Sequence, residues 1–277
     1  MNLTSPSQVK AWCIANEFHP NKVLGQNFLI DRNALLAIVD GGLEKVRQSI
    51  ESTDRPIHVL EIGPGLGVMT EELLRRGCRV TAIEKDPALS ARLAESLGNP
   101  SALTVIAGDA LDPTTRRIDE AAPFDCLISN LPYQAGTRIL LEIVCERRIP
   151  SLTVLVQTEV AERIAAGPGG KTRSLSGVWT QLDYDVRLLR KVSPSCFWPR
   201  PEVGSTVVRL DRHDRNIALS IEERDVFHRL TKHAFEHRRK QLGSVFRNLI
   251  QSSARAEELS NEDWVQLAKG LTANEDT

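Results

Sequence analysis

Cysteine is scarce and unorganised in this chain of 277 residues: Cys13, Cys78, Cys126, Cys145 and Cys196, with no Cys-x-x-Cys pair. An odd number at wide spacing supports neither a disulfide framework nor a zinc site, and a reduced cytoplasm is the expected setting. No run approaches the roughly 18 apolar residues of a membrane span. The opening stretch, "MNLTSPSQVKAWCIANEF", lacks a charged region followed by an apolar one, so no signal peptide is expected. The six histidines show no metal spacing, and the pair His233/His237 lacks the central Glu of a zincin, so no metal is expected. A net charge of -1 argues against a globally basic nucleic-acid binder but leaves room for a local basic face.

What remains is an ordinary globular composition, 41% hydrophobic and 26% charged, with length for one large domain or one domain plus a small appendage. Short β-branched runs, at 57–62, 79–84, 103–108, 125–129 and 152–157, alternate at first with amphipathic stretches such as "VMTEELLRRG" and "PALSARLAESLG". Such alternation predicts a mostly parallel sheet covered by helices on both faces. A last run, "STVVRL" (205–210), is placed at the sheet edge. "DRHDRN" follows as a polar linker, and then only helical spacing. The expected division is therefore a ligand-binding α/β domain over 1–210 and a small all-helical domain over 211–277.

The first run leads into "VLEIGPGLG" (59–67), where Gly63, Gly65 and Gly67 let the backbone approach a ligand and then enter a helix N-terminus. The spacing is G-x-G-x-G rather than the dinucleotide G-x-G-x-x-G, and a ligand-free tight turn remains open. Glu84 ends the second strand about 20 residues on, where an acid accepts ribose hydroxyls. Asp109 ends the third strand at the same sheet edge. Acids without a Lys or Arg cradle suit a nucleoside better than a phosphate, and a positively charged nucleoside best.

The fourth strand ends in Asn130-Leu131-Pro132-Tyr133, ordinary turn residues by themselves. Added to the glycine loop and two acids, they resemble the N-[LI]-P-[YF] motif of S-adenosylmethionine-dependent RNA adenine-N6 methyltransferases. "KVLGQNFLID" (22–31), "FWPRPEVGSTVVRL" (197–210) and "AFEHRRKQL" (234–242) are similar, in order, to the cofactor-covering segment, F-x-P-x-P-x-V segment and basic helix of the ribosomal RNA adenine dimethyltransferase family. The match is fullest to its small-subunit class.

That resemblance implies a class I methyltransferase, Rossmann-like, with a seven-stranded sheet. It implies a monomer that dimethylates two adjacent adenines in a hairpin near the 3′ end of 16S ribosomal RNA in the immature small subunit. Asn27, Leu29, Gly63, Gly65, Glu84, Asp109 and Asn130 would form the S-adenosylmethionine site. Asn130 and Leu131 would supply acceptors for the target amino group, Pro132 would stiffen the turn, and Tyr133 and Phe197 would stack on opposite faces of the base. Between Val226 and Ile250 stand six Lys/Arg against one acid, Glu236; Arg238, Arg239 and Lys240 are the phosphate candidates. Departures from the family pattern fall at Gln134, Thr172-Arg173 and Gly204. A large-subunit dimethyltransferase conferring macrolide resistance and a non-catalytic ribosome-assembly factor are the alternatives.

Overall fold

The computed structural model describes residues 3–50, 55–116, 123–215, 219–247 and 249–275. The chain forms two compact units, one from 1–161 with 187–211, the other from 162–186 with 212–277.

Along the chain, helix α1 (Pro6–Ala15) and a two-residue strand β1 (Phe28–Leu29) precede the long helix α2 (Arg32–Ile50). Then β2 (His58–Ile62), α3 (Val68–Arg75), β3 (Arg79–Glu84), α4 (Pro87–Ser96) and β4 (Leu103–Ala107) alternate. They are followed by β5 (Cys126–Asn130), α5 (Gly136–Glu146), β6 (Ser151–Gln157), α6 (Thr158–Ala165) and α7 (Leu175–Asp183). Strands β7 (Tyr184–Val192), β8 (Phe197–Trp198) and β9 (Ser205–Arg212) complete the strands. The main sheet has the order β4-β3-β2-β5-β6-β9-β7. From β4 to β6 all neighbours are parallel, and β9 runs antiparallel to β6. Every residue of β2 is buried, as a strand covered on both faces must be.

The order reverses between β2 and β5: the chain winds outward through β3 and β4, then crosses back to β5 and β6. Open α/β sheets form their ligand crevice at the carboxyl ends of the strands flanking such a reversal. The glycine turn follows β2 and Asn130 ends β5, so both motifs sit at that point.

Two placements differ from expectation. "STVVRL" is not the edge strand: β9 lies inside, and β7 takes the edge. Six of the nine residues of β7 are exposed, Arg187, Arg190 and Lys191 among them, and these charges interrupt any apolar run. β9 also continues through Arg212 into the expected linker, whose last residue, Asn216, lies outside the described residues.

The second unit holds α8 (Ile221–Glu236), α9 (Leu242–Val245) and α10 (Asn261–Glu275), and it takes in 162–186. The segment leaves the expected 1–210 domain because Val178 and Leu182 of α7 share one buried cluster with Phe227, Leu230 and Trp264. The fully buried Arg173 donates to Asn261 Oδ1 at 2.7 Å, and Asn261 Nδ2 donates to the Val178 carbonyl at 2.8 Å. The departure at Thr172-Arg173 is therefore a packing feature of this unit.

Candidate active site

The glycine turn is built from backbone that other residues rarely adopt. Gly63, Gly65 and Gly67 have φ of +67°, +59° and +87°, in the left-handed region that glycine occupies without strain. A Cβ on Gly65 would stand 3.0 Å from the Phe28 ring. Beyond the turn lies a cavity lined by Asn27, Leu29, Glu61, Gly63, Gly65, Glu84, Asp109 and Asn130 through Gln134. All seven residues expected at the cofactor, and the whole Asn-Leu-Pro-Tyr turn, thus surround one space.

Glu84 is buried; one carboxylate oxygen accepts from Gly65 N at 3.0 Å and the other from Asp86 N at 2.8 Å. Burial raises its pKa against those two amides. Glu61, in mid-strand β2, is also buried and accepts a 2.7 Å bond from the Thr70 hydroxyl. Burial pushes its carboxyl up to about 8, the Thr70 bond opposes this, and Glu84 adds to it. Two buried acids on one wall favour a cation in the cavity, since a positive charge relieves both. Lys85, half exposed, donates to Asp109 at 2.8 Å, and Leu111 N donates at 2.9 Å. These bonds hold the Asp109 carboxyl below the usual range.

At the other end, Asn130 Nδ2 donates to the Asn27 carbonyl at 3.2 Å. Its Oδ1 is buried without a hydrogen-bond partner. A buried acceptor left open is costly unless a ligand fills it. Leu131 is buried, and the Pro132 carbonyl accepts from Gly136 N at 2.7 Å, closing the turn into α5. The Tyr133 hydroxyl bonds to the Ser205 hydroxyl, which fixes the ring.

Phe197 does not form the opposite wall of a base sandwich. It is buried, and its ring meets Tyr133 edge-on, with centroids 6.2 Å apart and planes at 66°; two stacking walls would have to be parallel. Its place is set by the ladder in which β1 pairs with β8, Leu29 opposite Phe197.

In the second unit the basic run is not helical: α8 stops at Glu236 with His237 as its C-cap, and 238–240 form a turn. Cations just past a helix C-terminus are favoured by its dipole. Arg238 is engaged, with Nε 3.3 Å from Glu257 and Nη2 donating to the Lys171 carbonyl at 2.6 Å. Arg239 and Lys240 are exposed and pair with no carboxylate among the described residues.

The model of the family described as ribosomal RNA adenine dimethylase matches residues 17–274. The chain belongs to that family. Among its relatives, a ribosomal RNA small subunit methyltransferase A of Mycobacterium avium (strain 104) is 38% identical, the match covering 91% of this chain and 82% of the relative. One of Alkaliphilus oremlandii is 36% identical, with 97% and 98% covered. In fold, the chain resembles a dimethyladenosine transferase from Plasmodium falciparum, with a TM-score of 0.70 at 21% identity, over 88% of this chain and 97% of that one. It also resembles the 23S rRNA methyltransferase ErmE, with a TM-score of 0.66 at 24% identity, over 89% and 100%. The fold is that of the class I methyltransferases, and the family's methyl donor is S-adenosylmethionine.

Three residues of the site go beyond those expected from the sequence. Glu61 had a visible signal, an acid inside an apolar strand. Gln26 and Ser205 had none, since their partners, Asp86 and Tyr133, stand far away in the chain.

Proposed function

We propose that this protein dimethylates two adjacent adenines in a hairpin near the 3′ end of 16S ribosomal RNA, acting as a monomer on the immature small subunit in the cytoplasm. The observation that carries this reading is the open, buried Asn130 Oδ1 at the end of β5, in a cavity walled by Glu61 and Glu84. The names of relatives at 38% and 36% identity support the small-subunit substrate over the large-subunit one. No helix among the described residues is long and apolar enough to cross a membrane.

S-adenosylmethionine, when bound, supplies an electrophilic methyl on a sulfonium. The residues present fit it: the acids suit its positive charge, and the glycine turn presents bare backbone to its methionine end. Glu84 would hold the ribose hydroxyls with the lone pairs that Gly65 N and Asp86 N leave free. Asp109, held ionised by Lys85, would accept from the adenine amino group. Asn27 and Leu29 line the site from the covering segment.

An adenine amino nitrogen is a poor nucleophile because its lone pair is delocalised into the ring. Asn130 Oδ1 and the Leu131 carbonyl accept its two N–H groups, favour a pyramidal nitrogen and point the lone pair along the line of attack. Pro132 holds Leu131 in extended backbone, so the two acceptors keep their spacing. Tyr133 offers one stacking face, worth about 1–3 kcal/mol, and Phe197 braces that ring from its edge. The methylated nitrogen is strongly acidic and loses its proton to solvent, so no general base is required. Catalysis is positioning.

Drawing an adenine out of a loop costs a few kcal/mol, and binding of phosphates offsets this. Arg239 and Lys240 are the available cations of the basic run, whereas Arg238 shapes the turn that displays them. The test is incubation with labelled S-adenosylmethionine and undermethylated small subunits, followed by mapping of the modified nucleotides. Label on two adjacent adenines near the 16S 3′ end is expected; label elsewhere, or none, overturns the reading.

A further inference from the structure

Residues 21–29 form the segment across the cofactor cavity, and they are fastened at three places. Gln26 Nε2 donates to Asp86 Oδ2 at 2.7 Å. Asp86 caps α4 through Ala88 N at 2.9 Å, and its own N–H donates to Glu84, the acid assigned to the ribose. Gly25, at φ +67°, lies so close to the catalytic turn that a Cβ there would stand 3.0 Å from both Tyr133 N and Gln134 N. Phe28 pairs with Trp198 in the small ladder. The segment also closes on itself: Asn21 N donates to Gln26 Oε1 at 2.7 Å.

Between these fastenings the Asn27 carbonyl meets Asn130 Nδ2. A side-chain amide fits its site in two flipped orientations, and its neighbours decide between them. With a carbonyl at this point, the flipped amide would set oxygen against oxygen. The Asn27 carbonyl therefore turns Nδ2 toward the segment and leaves Oδ1 as the open acceptor.

We propose that Gln26 is a positioning residue for methyl transfer: by tying the segment to Asp86 it keeps the Asn27 carbonyl on the Asn130 amide, and so fixes the acceptor that the target amino group meets. The path runs by hydrogen bonds from the ribose acid to Asp86 and Gln26, along the backbone to Asn27, and by a hydrogen bond to Asn130. Base activation thereby depends on order at the cofactor end. This inference rests on the adenine methyltransferase reading above.

The test compares Gln26→Ala and Gln26→Glu with the wild-type full chain, using S-adenosylmethionine and undermethylated small subunits. Initial rates give kcat and KM, and calorimetry gives cofactor Kd. Gln26→Ala is expected to lower kcat by between about tenfold and 10²-fold, the scale of a ~1 Å misplacement, and by a larger factor than it changes cofactor Kd. Gln26→Glu sets a carboxylate against Asp86, with Glu84 behind it and Lys85 beside it in the chain. A single proton shared by two carboxyls restores a donor, so its rate relative to Gln26→Ala should climb as pH falls from 8 to 6. Glu84 and Lys85 flank Asp86 in both variants, so what differs between the two pH profiles is the introduced carboxyl and its coupling to Asp86. A Gln26→Ala variant with unchanged kcat overturns the proposal, whatever happens to its KM for cofactor. A flat Gln26→Glu ratio does the same. Should Gln26→Ala fail to fold, Gln26→Met keeps side-chain bulk without the donor to Asp86, and unchanged kcat there is equally fatal. Wild type without activity on the subunits would instead sink the functional reading, and that control is seen separately.

Discussion

Glu61 lends itself to a prediction worked from physical chemistry. A free glutamate titrates near 4.5, while burial in β2 lifts this one to about 8. Between those values the native protein holds a proton that the unfolded chain has lost, so stability falls as pH rises through that window. At roughly 1.36 kcal/mol per tenfold change in proton affinity, the full cost above pH 8 is on the order of 5 kcal/mol. Glu61→Gln abolishes the ionisation and keeps an acceptor for the Thr70 hydroxyl. Denaturant unfolding of the two proteins should coincide near pH 4.5 and diverge toward pH 8.5, with the variant the more stable by a few kcal/mol.

The ligand reverses the sign. A cationic nucleoside beside Glu61 favours the carboxylate, so binding should expel a proton and grow tighter as pH rises from 6 toward 8. Glu61→Gln should bind S-adenosylmethionine more weakly, with no proton release and a flat pH profile. Calorimetry in two buffers of different ionisation enthalpy reads the proton directly. Parallel stability profiles for wild type and variant would show that Glu61 ionises normally in the fold and would refute the reasoning.

Asn130→Ala removes the open acceptor but leaves Glu84 and Asp109 in place; turnover should fall by about 10²-fold or more while cofactor Kd holds, measured on undermethylated subunits and by calorimetry. Replacing Arg239 and Lys240 by Ala should weaken RNA binding and flatten its salt dependence by roughly 0.7–0.9 for each phosphate no longer neutralised. Arg238→Ala should leave that slope nearly unchanged and lower the melting temperature instead, because its guanidinium is held by Glu257 and Lys171. Arg173→Ala should destabilise the second unit by about 3 kcal/mol or more, leaving Asn261 Oδ1 and the Ala166 carbonyl without this donor. Arg173→Met, which fills the space but supplies no donor to those acceptors, should recover only the packing part of that loss in thermal unfolding.

What could be read from the sequence follows from where each constraint is written. Strands β2, β3, β5 and β6 are buried almost throughout, so they appear as apolar runs whatever surrounds them. The glycines at 63, 65 and 67 declare a backbone that other side chains resist, and the loop is legible for that reason. β7 is stabilised by its neighbour rather than by burial of its own residues, and its exposed Arg and Lys hide it. Segment 162–186 reads with the first unit because partners that hold it in the second stand far along the chain, 52 positions for Trp179–Thr231 and 88 for Arg173–Asn261.

The same distinction divides the site. Residue type alone marks Glu84, Asp109 and Asn130 as acceptors at strand ends. Orientation is a property of pairs: Phe197 is near Tyr133 as expected, yet edge-on, because pairing of β8 with β1 sets its ring. The Asn130 amide depends on a carbonyl 103 positions earlier, and Gln26 on an aspartate 60 positions later. If catalysis here is positioning rather than acid–base chemistry, its rate is set mainly by such long-range pairs. Substitutions at Gln26 and Gly25, which touch no reacting atom, are then expected to cost more turnover than Pro132→Ala, which loosens the turn without deleting either acceptor. Rates for the three variants, each normalised to its own cofactor saturation, decide the matter, and an inverted order would mean that the turn alone orients Asn130.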